Sequence, residues 1–235
     1  MATFWWRDDD AVDSTPSLDR LLGLSVDMDV PVALAVVPTK ASPALPQTLE
    51  GCPDVSVLQH GYAHRNHAPA GAKATEFDRY RAHDRVIAEL TGGRDRLSKL
   101  FSDRALPILV PPWNRIDTAL LSELPNLGLI GLSTFRPRAA AEAVPGLRQV
   151  NCHIDLINWR RTCRFVGLDK ALAETVAHLN ARRERGADET EPTGLLTHHL
   201  DHDPGCWEFL ERFLERTQMH PAVRWLNARE AMWTE

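Results

Sequence analysis

Between Pro31 and Pro38 the chain reads Val32-Ala33-Leu34-Ala35-Val36-Val37, with no polar side chain on either face of a would-be strand. Such a strand must be covered on both sides, which is the situation of a strand inside a parallel sheet with helices packed outside it. Comparable short β-prone runs fall at residues 3–6, 55–58, 107–110, 127–132, 149–153, 194–197 and 223–226. Helical periodicity lies between them. Leu18, Leu21 and Leu22 follow a capping Thr15 and Pro16, and residues 76–90 and 94–101 form a helix that Gly92-Gly93 breaks. Leu168, Leu172, Val176 and Leu179 mark the apolar face of another helix, and residues 207–213 form one more. Strand and helix in alternation predict an α/β chain with a mainly parallel sheet. Seven or eight such units predict a distorted (β/α) barrel, with residues 1–235 forming a single domain.

Composition narrows the function. Hydrophobic residues at 43% and charged residues at 25% suit a globular chain with a large core. The net charge is −5, and Lys and Arg are scattered, which argues against nucleic acid or an anionic membrane as partner. The first residues lack a basic stretch followed by an apolar one, and no run approaches the length of a membrane span, so a cytoplasmic protein is expected. Cys52, Cys152, Cys163 and Cys206 have no Cys-x-x-Cys spacing, so neither a zinc ribbon nor a redox pair is indicated.

The unusual chemistry sits where strands end. The first run delivers Arg7-Asp8-Asp9-Asp10, the third delivers His60 and His64, and the fourth ends in Pro111-Pro112-Trp113-Asn114-Arg115. Asp155 and Trp159 follow the sixth, and His198 the seventh. In a parallel barrel all these ends open on one face, where active sites are built. Three adjacent carboxylates repel one another, and a nearby cation would explain them better than core packing, although a solvated acidic turn has the same composition. Two histidines four apart can reach one ion if the segment makes a helical turn, and a polar loop with hydrogen-bonded histidines is the alternative. Two imidazoles and a carboxylate form a hydrolytic metal set, with a second carboxylate as base and a distant histidine as acid. His198 and His202 are also four apart and make a rival pair. No His-Glu-x-x-His run points to a metalloprotease.

In order along the chain these motifs resemble those of the NodB-type polysaccharide deacetylases, metal-dependent carbohydrate esterases on an irregular (β/α) barrel. The resemblance implies Asp9 as general base, Asp10, His60 and His64 as ligands of one divalent ion with zinc the first candidate, and His198, in Leu196-Thr197-His198, as general acid. The triple Asp leaves Asp8-Asp9 as a second register. Two positions depart from the family pattern. Its Arg-x-Pro-aromatic motif reads Val110-Pro111-Pro112-Trp113, so that Arg7 or Arg115 would have to supply the charge, and its Asp-x-x-Asp-Trp motif reads Asp155-Leu156-Ile157-Asn158-Trp159. The activity implied is removal of an acetyl group from an N-acylated sugar or related amide. A catalytically silent barrel that binds a carbohydrate or metal is the alternative.

Overall fold

The structure is a computed structural model that describes residues 1–233. Strand β1 (Ala2–Ala11) is followed by α1 (Pro16–Asp27), β2 (Val32–Val36), the short α2 (Leu45–Thr48) and β3 (Val55–His60). Next come α3 (His83–Phe101), β4 (Ala105–Val110), β5 (Gly131–Leu132), β6 (Glu142–Val144), β7 (Leu147–Gln149) and β8 (Ile154–Asp155). Helix α4 (Leu168–Arg183), β9 (Thr193–Thr197), α5 (Pro204–Gln218), β10 (Val223–Leu226) and α6 (Ala228–Trp233) complete it. The sheet runs β6-β7-β5-β4-β3-β2-β1-β9-β8, with β10 beside the first half of β1, and every pairing is parallel except β6 with β7.

This is the expected distorted barrel, with an open sheet. Between β7 and β8 no ladder forms. Residues 150–153, expected as a strand, instead span the gap with single backbone bonds, from Cys152 N to Thr134 O (3.0 Å) and from His153 N to Gly194 O (2.8 Å). The fifth run is likewise shorter than expected, because Pro125–Leu127 forms a 3-10 turn and pairing is confined to Gly131–Leu132.

The pleat of β1 sorts its side chains. Phe4 and Trp6 face the outer layer under α1 and α5 with Leu18, Leu21, Leu34 and Phe213, whereas Trp5 faces the barrel interior with Ala33, Ala35 and Leu196. Residues of α6, namely Ala228, Ala231 and Met232, join that inner cluster. The cap of α1 is as expected, with Thr15 Oγ1 accepting from Leu18 N at 3.1 Å.

Two helices differ from the sequence reading. Residues 76–82 are not helical, and α3 runs unbroken through Gly92-Gly93. Gly93 is there for space: a Cβ would stand 2.4 Å from Gln59 Nε2 and 3.1 Å from Pro38 Cγ, so the glycine allows α3 to close on β3. Helix α4 is turned about. Ala171, Thr175 and His178 are buried, and Leu168, Leu172 and Val176 are exposed. Two of its inward polar groups bond at one atom each: Thr175 Oγ1 donates to Ala171 O at 2.8 Å, and His178 Nδ1 lies 2.9 Å from Thr193 Oγ1, while His178 Nε2 has no partner among the described residues.

Burial pushes His178 down from its ordinary 6.5 to about 3, with neighbouring His153 and Arg182 adding to the effect. The folded protein therefore keeps this imidazole neutral where the unfolded chain would protonate it, and acid favours unfolding. Urea midpoints are expected to fall as pH drops from 6.5 toward 3. His178→Gln should flatten that dependence, and an unchanged slope in the variant would contradict the assignment.

Candidate active site

The three aspartates of β1 meet three different partners. Asp8 points outward and accepts from Thr197 Oγ1 (2.6 Å), His199 N (3.0 Å) and the His199 ring. Burial opposes its charge, but His199 and Thr197 outweigh burial and hold Asp8 below the usual carboxylate range. Asp9 points into the barrel and forms a bidentate pair with Arg7, at 2.8 and 3.0 Å. Asp10 turns to the histidines, its Oδ1 lying 3.4 Å from His60 Nε2 and 3.3 Å from His64 Nε2. Consecutive strand residues normally face opposite ways. Here one extra residue separates the pairs Asp8↔Leu34 and Ala11↔Val36, and Asp10 has a φ of +72°, so a bulge lets Asp9 and Asp10 both serve the same mouth.

His60 closes β3, and its Nδ1 lies 3.0 Å from Val110 O. That carbonyl accepts only from an Nδ1–H, which leaves the Nε2 lone pair directed at Asp10. His64 reaches the same point from a loop rather than a helical turn: Gly61 and His64 have φ of +59° and +52°. The loop is held by a residue with no motif signal, Glu76. This fully buried carboxylate accepts from Tyr62 N (2.9 Å), Ala63 N (2.9 Å) and Arg65 N (3.2 Å). A Cβ on residue 61 would lie 2.0 Å from Glu76 Oε2, so only glycine admits the staple. The Trp113 ring lies 4.6 Å from that of His64.

Of the two arginines considered for the charge absent from Val110-Pro111-Pro112-Trp113, Arg7 is the one that meets Asp9. Besides Asp9, it donates to Ser133 Oγ (2.7 Å), Thr134 O (3.3 Å) and Asn114 Oδ1 (2.8 Å), and it is fully buried. Arg115 instead donates to Ala74 O. Across from Asp9, His198 Nε2 is 4.0 Å from Asp9 Oδ2, and the Trp159 ring meets His198 edge-on at 4.7 Å. Asp155 accepts from Trp159 Nε1 (2.9 Å) and Ile157 N (2.9 Å), and burial raises its pKa. Asn158 does not disturb this contact, because it shapes the next turn through backbone bonds to residues 162–164.

Among the described residues, two groups of three ligand-type side chains bring their donor atoms within 4.8 Å of one another: Asp10 with His60 and His64, and His153 with His178 and Glu191. The rival pair His198 and His202 makes no such group: His198 faces Asp9, the His202 ring meets that of Trp207 edge-on at 4.5 Å, and His199 between them is taken up by Asp8. The second group does not suit a metal. Gly194 N donates to His153 Nδ1 at 2.9 Å, so the neutral ring carries its proton on Nε2, where a metal would need a lone pair. That Nε2 faces Glu191 at 3.4 Å. The first group does suit one: an oriented imidazole, a second imidazole and a carboxylate converge, leaving positions for water and substrate.

No family model and no curated protein matches the chain. Solved structures do. A structure from Mycobacterium smegmatis assigned as a polysaccharide deacetylase is similar over 98% of this chain and 89% of its own, at 17% identity and a TM-score of 0.68. Puue allantoinase is similar over 98% and 88%, at 13% identity and 0.67. A family 4 acetyl xylan esterase from Clostridium thermocellum, in complex with a cobalt ion, is similar over 97% and 89%, at 11% identity and 0.60. At these identities the likeness is one of fold, and it is the fold that the motif resemblance implies.

The Glu76 staple gives a direct test. Glu76→Gln keeps the shape but loses acceptor capacity for three backbone donors, so elemental analysis is expected to find divalent-metal affinity lowered by about tenfold to a hundredfold, the range for support lost behind a ligand. Unaltered affinity would show that the loop holds its shape without it.

Proposed function

We propose that the protein is a metal-dependent hydrolase that removes an acetyl group from an N-acylated sugar or a related small amide. Asp10, His60 and His64 hold one divalent ion, Asp9 is the general base and His198 the general acid. The observation that carries this reading is the approach of the bulge carboxylates to two different partners, Asp10 to the two imidazoles and Asp9 to Arg7. When bound, a divalent ion supplies Lewis-acid polarisation of the amide carbonyl and acidifies the attacking water. Zinc is the first candidate, and a mixed nitrogen and oxygen set also accommodates cobalt, manganese, iron or nickel.

The protein groups divide the proton work. Arg7 fixes the Asp9 carboxylate so that an unshared lone pair can take the proton of the water that attacks the acyl carbon. His198, at 4.0 Å across the mouth, gives a proton to the departing nitrogen as the carbon–nitrogen bond breaks. Asn114 and Thr134, which contact Arg7, also line a cavity of about 430 Å³ with Phe77, Arg115 and Gln149. That volume suits a small ligand. No helix of the described residues is long and apolar enough to cross a membrane.

Acetate release from a panel of N-acetylated sugars and small amides tests the proposal with metal-loaded protein. Asp9→Asn is expected to keep its metal and lose about a hundredfold or more in rate, the scale of removing a general base. Asp10→Asn should lose metal affinity first and recover part of its rate in excess metal. A metal-loaded native protein that releases no acetate across the panel overturns the reading. An Asp9→Asn variant as fast as native removes Asp9 from its role.

A further inference from the structure

The imidazole of His198, the general acid of the proposed function, is not held by a hydrogen bond of its own. Its Nδ1 is buried without a partner among the described residues, and its Nε2 stands 4.0 Å from Asp9 Oδ2, beyond hydrogen-bond reach. Trp159 meets the ring edge-on and is itself 43% exposed. The backbone on either side must therefore place this ring. The ladder between β1 and β9 ends at the pair Asp8↔Thr197, and beyond it the chain turns into the 3-10 segment His199–Asp201, so His198 stands at the joint.

Asp8 grips both sides of that joint. Its Oδ2 accepts from Thr197 Oγ1 at 2.6 Å and from His199 N at 3.0 Å, and its Oδ1 accepts from His199 Nδ1. An ionised carboxylate only accepts, so the His199 ring carries its proton on Nδ1. Thr197 Oγ1 also accepts from Trp6 Nε1 at 2.8 Å, which ties the same flank to β1 a second time. Asp8, Thr197 and His199 are almost completely buried, so loss of the carboxylate would strand three donors away from water. The pleat turns Asp8 and Thr197 outward together, and their neighbours Asp9 and His198 into the mouth. The clamp is thus one residue from the general base on β1 and one from the general acid on β9. We propose that Asp8 is a positioning residue: by binding Thr197 and His199 on either side of His198, it sets where that imidazole meets the leaving nitrogen. Its effect on turnover rests on His198 being the general acid.

Zinc-loaded protein carrying isotopically labelled histidine gives the first test, because the ring signals of His198 in nuclear magnetic resonance report its surroundings without substrate. In Asp8→Ala those signals are expected to shift and broaden, while those of His60 and His64 stay in place. The same metal-loaded variant should lose about tenfold to a hundredfold in kcat on the N-acetylated compound that the native protein turns over fastest, up to the scale of an ångström of misplacement. Its loss on p-nitrophenyl acetate, whose leaving group departs without a proton, should be about tenfold smaller. Should Asp8→Ala not fold, Thr197→Val, which exchanges the hydroxyl for a methyl, carries both readouts with smaller losses. Ring signals of His198 that match the native protein in a folded variant overturn the proposal. So does an equal loss on amide and ester, the mark of damage to the fold or the metal site. The ring measurement needs no turnover, so its outcome is separate from that of the acetate assay.

Discussion

The site depends on an ion pair inside the barrel, between Arg7 and Asp9. Burying a guanidinium and a carboxylate is costly, and the cost is met only when the geometry is good and every donor has a partner. Here the pair is bidentate, and the remaining guanidinium hydrogens go to Ser133, Thr134 and Asn114, on the segments that follow β5 and β4. One side chain thus ties β1 to two neighbouring strand ends. The space for it comes from small residues: Arg7 is in register with Ala33 on β2, and Ala35 also lines the inner cluster. Larger side chains there would compete with the guanidinium for volume.

From that pair the arrangement of the three aspartates follows. The pleat sends Asp8 outward to His199 and Thr197, and the bulge brings Asp10 round to His60 and His64 while Asp9 remains with Arg7. Like charges that would repel if they shared a space are each given a cationic or hydrogen-bonding partner of their own. Asp8 has a positional effect as well. Its bonds to His199 and Thr197 anchor the residues on both sides of His198 to β1, the strand that carries Asp9.

How far this could be read beforehand depends on the range of the interaction. The alternation of elements, the all-apolar β2 and the histidine spacing are local signals, and they pointed to the fold and to His60 and His64, whereas Asp10 was singled out from the three aspartates only by the motif resemblance. Arg7 could be named only as one of two candidates for the missing charge, because the choice rests on Asn114 and Ser133, more than 100 residues away. Glu76 was illegible, since its partners are backbone amides, which carry no residue identity. Helix α4 misled for a related reason. Periodicity shows that a face is apolar but not what covers it, and here hydrogen bonds to Thr193 and Thr3 decided which side turned inward. The glycine pair in α3 reads as a breaker in isolation, whereas contact with Gln59 makes it a site of close packing.

The most direct measurement is a double-mutant cycle on stability, by urea unfolding of the native protein, Arg7→Met, Asp9→Asn and the double variant. Breaking a buried pair from one side leaves an uncompensated charge, so Arg7→Met is expected to lose about 3–5 kcal/mol. Removing Asp9 as well should recover at least about 2 kcal/mol of that loss, since the coupled charge has gone. Losses that simply add would mean that Arg7 and Asp9 stabilise the barrel independently, and would contradict the account.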